Sequence, residues 1–149
     1  MTRARMVWIT AVAALGISAP VAQGKTLKVK GTERGAVITA QASTTVFAAL
    51  GSDQRGAYAA RNTTTTASAS GPTLTFTSKF IDYYTAGTER GTLTGTATQQ
   101  PDGSFTLTGS GKVTGGTGRY RKARGTLTFT GTQASDGRYT VTFTGTLTY

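Results

Sequence analysis

The sequence predicts an all-β protein, an eight-stranded antiparallel up-and-down barrel preceded by an N-terminal signal peptide. Three observations carry this. Apolar and Thr residues alternate with period two through most of residues 25–149, as in Leu127 and Phe129 set against Thr126, Thr128 and Thr130. Pro101-Asp102-Gly103 and Ser135-Asp136-Gly137 are strong hairpin turns between such runs. Convincing helical periodicity is absent after the first two dozen residues, and an exported chain with no cysteine has no disulfides to hold it. A closed sheet suits that need, because closure removes exposed strand edges; a sandwich is the other architecture that regular strands and short turns allow.

In chain order, residues 1–24 read as a secretory leader. Arg3 and Arg5 make a basic start, Met6 to Val21 is mostly apolar, and Ala22-Gln23-Gly24 offers small residues for cleavage. The apolar run is short for a spanning helix and contains Pro20. The protein is therefore expected to be secreted or extracytoplasmic, with one β-barrel domain over residues 25–149.

Eight or nine strands are countable within that domain: Lys25–Gly31, Gly35–Ala42, the possible pairing segment Thr44–Leu50, the weakly patterned Arg55–Ser68, Thr73–Tyr84, Gly91–Thr98, Ser104–Val113, Gly125–Thr132 and Arg138–Tyr149. The second carries Ala36, Ile38 and Ala40 in alternation, and the third holds Val46, Phe47 and Leu50. Gly31-Thr32-Glu33-Arg34-Gly35 recurs as Gly87-Thr88-Glu89-Arg90-Gly91, and both copies are expected between strands. They read either as charged rim loops of a duplicated half-barrel or as two similar turns in a Thr- and Gly-rich chain. In the patterned strands one face is Thr and the other mixes Leu, Phe, Val and Tyr with Gly. The apolar face is expected inside, where burial stabilises by about 25 cal/mol per Å².

The stretch Gly111–Gly125 is the most individual in the sequence. Gly115, Gly116 and Gly118 permit a sharp fold of the chain, and Tyr120 and Ala123 stand one short helical turn apart. The expected order is strand, tight Gly turn, one helical turn with Tyr120 pointing inward, and strand. Gly115-Gly116-Thr117-Gly118-Arg119-Tyr120 followed by Ala123-Arg124-Gly125 resembles the GGTG-x-aromatic-x-x-A-x-G signature of the dirigent and allene oxide cyclase-like barrels. The resemblance implies an eight-stranded antiparallel barrel with an apolar cavity. It also implies an activity of the kind that cyclises an epoxide or steers the coupling of bound radicals.

Inventory narrows the chemistry. The chain has no histidine and no cysteine, which excludes Ser-His-Asp and Cys-His catalysis and the usual zinc sites, so no metal and no cofactor is expected. On strand parity Asp82 shares a face with Phe76, Phe80 and Tyr84. It is either a buried carboxyl of raised pKa, fit for acid–base work with Tyr84 as hydroxyl partner, or a solvated strand end. Phe76, Phe80, Phe105, Tyr120, Phe129 and Phe143 are the ligand-contact candidates; Tyr120 reads also as a core plug. Arg119, Arg121 and Arg124, with Lys112 and Lys122, are either an anion site for a carboxylate or phosphate at the barrel mouth or a solvated loop.

The net charge is +10. Without Arg3 and Arg5, fourteen cations against six acids leave +8. That balance suits a solvated surface or anionic cell-envelope polymers, and export together with the lack of a recognition motif argues against nucleic acid. The preferred reading is a barrel that binds a small apolar or aromatic molecule and steers its cyclisation or coupling. The alternative is a non-enzymatic cell-surface or cell-wall interaction protein. An ice-binding surface would need flat Thr ladders that twisted strands do not provide. An outer-membrane barrel would need aromatic girdles and an undiluted lipid face.

Overall fold

The computed structural model of the protein describes residues 24–149, so all but the last residue of the expected leader lies outside the described residues. Eight strands follow one another in sequence: β1 (Thr26–Gln41), β2 (Thr44–Asp53), β3 (Gly56–Ser70), β4 (Thr73–Tyr84), β5 (Gly87–Gln99), β6 (Phe105–Gly116), β7 (Arg124–Gln133) and β8 (Tyr139–Thr148). Each pairs antiparallel with the next, and β8 pairs with β1, so the sheet closes on itself. This is the up-and-down barrel that the alternation predicts. The Thr side of the patterned strands faces out: Thr126, Thr128, Thr130 and Thr132 on β7 and Thr140, Thr142, Thr144 and Thr146 on β8 are all exposed. Thirteen of the fourteen described cations are exposed with them, which is not the continuous apolar band a lipid-facing barrel requires.

Three expectations about the first half are corrected. The first two predicted runs are one strand, since Gly31 to Gly35 continues the β1 ladder with β8 without interruption. The repeated Gly-Thr-Glu-Arg-Gly segments are accordingly not loops between strands; they lie in β1 and β5, and each turns its Glu into the barrel, where a side-chain partner holds it. Ile38 and Leu50 are not inside. Val37 continues the inward series of β1, so Ile38 faces out and is 62% exposed; a bulge between Val37 and Thr39 then reverses the parity, and Ala40 faces inward. On β2 the inward set is Thr45, Phe47 and Ala49, and Leu50 is 72% exposed.

The two barrel ends differ. At one end lie the start of β1, the end of β8 and the turns after β2, β4 and β6. The connection from β6 to β7 contains the short 3-10 turn Gly118–Tyr120, with Gly118 at φ 55° to pass close to the Ala86 carbonyl. It delivers Tyr120 into the end of the barrel, 2% exposed, with its ring 5.1 Å from that of Tyr84 and 5.7 Å from that of Tyr149. Val29, Val113, Ala123 and Leu147 complete this buried layer, which closes that end. At the other end the turns after β1, β3, β5 and β7 surround an opening.

The interior glycines are seats for rings. A side chain at Gly51 would occupy the space of the Tyr58 ring, and one at Gly35 that of Tyr139. Small and large residues thus interlock across neighbouring strands.

Replacing the plug tests this arrangement. Tyr120→Ala removes a fully buried ring from a three-ring stack and is expected to cost about 3 to 5 kcal/mol, read as a lowered urea midpoint at unchanged slope.

Candidate functional site

Inside the barrel a cavity of about 340 Å³ runs from the open end to a polar floor. Its wall is apolar: Val37, Leu74, Phe76, Phe105, Phe129 and Val141 are among the residues that line it. Of the ligand-contact candidates, Phe76, Phe80, Phe105, Phe129 and Phe143 all line this space; Tyr120 lies below the floor, in the plug. Arg119, Arg121 and Arg124 are exposed around the plugged end, opposite the opening, and none lines the cavity. An anion site at the mouth is therefore not where these residues stand. Arg124 instead donates to the Ala123 carbonyl at 2.7 Å, and the Arg119 guanidinium lies 5.9 Å from the Tyr149 ring centre.

The floor holds two hydrogen-bonded groups and one carboxyl with no bond at all. The first group is built on Arg55, which the β2–β3 turn folds back into the barrel. Its Nη2 donates to Asp53 Oδ2 and to Tyr84 Oη, both at 2.6 Å, and its Nη1 donates to Glu89 Oε2. Tyr84 Oη in turn donates to Asp53 Oδ2 at 2.9 Å. The guanidinium is stacked 4.7 Å from the Tyr84 ring centre. Burial works against its charge, but the hydrogen bonds to Asp53 and Glu89 outweigh that and hold Arg55 above its already high ordinary value. Burial also raises Glu89, and the Arg55 hydrogen bond opposes the rise.

The second group surrounds Glu33 with neutral donors. Tyr58 Oη donates to Oε2 at 3.1 Å, Asn62 Nδ2 donates to Oε1 at 2.9 Å, and Tyr139 Oη donates to Oε1. Burial, then the charge of Glu33, pushes both phenols up, so they remain protonated donors through neutral pH.

Asp82 stands between these groups. It is 8% exposed, lies directly across the β4–β5 ladder from Glu89, and its Oδ1 is buried without a partner. Desolvation raises its pKa well above the ordinary 3.8, and Glu33 and then Glu89 raise it further, with Arg55 pulling the other way. Asp82 is therefore a buried carboxyl whose charged form is disfavoured, rather than a solvated strand end. Tyr84 points past it toward Arg55 and Asp53 and does not line the cavity. Among the described residues, no three acidic side chains converge closely enough to hold a metal ion.

Comparison with protein-family models finds no match, and neither curated proteins nor solved structures show a significant similarity to this chain. The reading of the site rests on its own geometry.

Two outcomes follow from the floor. Arg55→Met leaves Asp53 and Glu89 buried without their cation and is expected to cost about 3 to 5 kcal/mol in urea unfolding at pH 7. For Asp82, the folded chain holds a proton that the unfolded chain releases once pH passes 3.8. Stability from this group is therefore complete at low pH and declines as pH rises toward the raised value. Asp82→Asn removes that decline. The difference in unfolding free energy, variant minus parent, is expected to be constant below about pH 4 and to grow in favour of the variant above it. A flat difference from pH 4 to 8 would show that burial does not raise the pKa of Asp82.

Proposed function

We propose that the barrel is a binding protein for a small apolar or aromatic molecule, held in the interior with its body against the Phe and Leu wall. The observation that carries this is the cavity itself: about 340 Å³, open at one end, mainly apolar along its wall, and with its charged groups at the floor. Its size falls in the range of small-molecule sites, and a largely apolar wall with a few convergent polar groups is the usual composition of such a site. The wall is kept open by geometry. Phe76 and Phe129 sit over Gly95, and Phe129 also over Gly109, with the two rings 6.3 Å apart.

The reading extends to steering the cyclisation or coupling of the bound molecule, as the resemblance of the Gly115–Gly125 stretch to the dirigent and allene oxide cyclase-like signature implies. Such steering draws on orientation and exclusion of water more than on reactive side chains, and a histidine-free, cysteine-free interior is compatible with it. The basic, apolar, small-residue order of residues 1–24 supports an exported protein.

The test uses 1-methylnaphthalene, a neutral apolar probe of suitable size. Saturable binding at one site per chain is expected, with quenching or shift of the ring signals of the wall. Ala40→Trp, at an exposed position that lines the mouth, is expected to weaken that binding by about tenfold or more while leaving the unfolding midpoint close to the parent. An absence of saturable binding by the parent protein would refute the reading.

A further inference from the structure

We infer that the floor of the cavity is built to receive a protonated amino group, so that the ligand is an amine carried on an apolar or aromatic body, with Asp82 Oδ1 and Glu33 as its acceptors. The inference rests on the proposed binding function and names the chemical class of its ligand.

The first support is a charge imbalance inside the wall. Four of the six acids in the chain, Glu33, Asp53, Asp82 and Glu89, turn inward, and Arg55 is the one described cation that does so. Arg55 is committed to Asp53 and Glu89, at 2.6 Å from the first. Glu33 receives three hydrogen bonds, all from uncharged groups. No side chain among the described residues hydrogen-bonds to Asp82. Two carboxyl groups thus face the cavity without a cation. Such burial costs stability unless a complementary charge is supplied.

The second support is independent of that count. Asp82 Oδ1 is a fully buried acceptor without a partner in a side chain more than nine-tenths buried, and Asp82 lines the cavity. Buried polar atoms in folded proteins nearly always have partners, and an exception calls for a missing one, such as a water, an ion or a ligand atom. An ammonium supplies what is missing: three donors and the counter-charge on one atom. Phe80 and Phe143 line the same cavity, and aromatic rings attract cations.

The third support is the approach. The two outward-facing acids, Asp102 and Asp136, both lie in turns at the open end, where Arg138 is the one described cation, and it is paired with Asp136 at 2.7 Å. Arg119, Arg121, Lys122 and Arg124 gather at the plugged end. A cationic ligand entering at the mouth thus passes acidic turns and meets an acidic floor, and the basic cluster lies beyond the floor, on the far side of the Tyr120 plug.

Three probes with one ring system and different head groups decide the matter: 1-naphthylmethylamine, 1-naphthylmethanol and 1-naphthoate, titrated into the protein at pH 7. The amine is expected to bind about tenfold or more tightly than the alcohol, and the carboxylate most weakly. In Glu33→Gln and Asp82→Asn the ratio of amine to alcohol affinity is expected to fall toward one, with intact near-ultraviolet circular dichroism establishing that each variant is folded. If Glu33→Gln does not fold, Asp82→Asn and the head-group order of the parent decide alone. An alcohol that binds as tightly as the amine, or an amine preference that survives in the folded variants, overturns the inference while 1-methylnaphthalene binding leaves the apolar site standing. Failure of 1-methylnaphthalene and all three probes to bind would overturn the site itself.

Discussion

Closure of the sheet is the constraint from which the interior follows. Once β1 and β8 are joined, every second residue of eight strands must share a narrow space, whatever its chemistry. Rings fit because glycines on the adjacent strand give them room, as Gly51 does for Tyr58 and Gly35 for Tyr139. Glu33, Asp82 and Glu89 are inside for the same reason of parity, because each occupies an inward position in a run of apolar neighbours. A sheet open at one edge would let such residues turn to water; this one does not.

The polar groups then have to be satisfied within the wall, and they are satisfied unequally. Arg55 gathers two carboxylates and a phenol into a compact group above the Tyr120 plug. Tyr58, Asn62 and Tyr139, from two different strands, converge on Glu33. These ties connect β1 with β3 and β8, and the β2–β3 turn with β4 and β5, so the floor braces the barrel across its width as well as along its ladders. Networks of this kind stabilise when complete and are costly when one member is lost. Asp82 is the member left incomplete.

Much of this was legible in residues alone. The strands from β4 onward follow the alternation closely, because each has one Thr side and one apolar side and is bounded by a Gly-containing turn. The Gly115–Gly125 stretch announced a tight turn and an inward Tyr120, and both are present. Parity placed Asp82 among the aromatics of β4. The first half was harder for identifiable reasons. Glu33 continues the inward series Leu27, Val29 and Gly31, but a Gly-flanked charged pentapeptide resembles a loop when its buried partners are unknown. Those partners, Tyr58, Asn62 and Tyr139, lie 25, 29 and 106 residues away. Arg55 gave no sign of its inward path, since a cation in a turn is ordinarily solvated. The bulge at Ile38 reversed parity where no glycine marked it.

The barrel is closed where its first and last strands meet, with Lys25 and Tyr149 exchanging two backbone hydrogen bonds beside the β1–β8 ladder. Seven of the eight ladders join neighbours in sequence and can zip in succession as hairpins, whereas the eighth spans the whole domain. Loop-closure entropy grows only slowly with length, but it must be met before that last ladder returns anything. The seam is thus the ladder with the largest loop to close, and β1 keeps a bare edge until β8 covers it. Because the first and last strands are neighbours, a domain reopened at one of the open-end hairpins and spliced across the seam would trace the same wall.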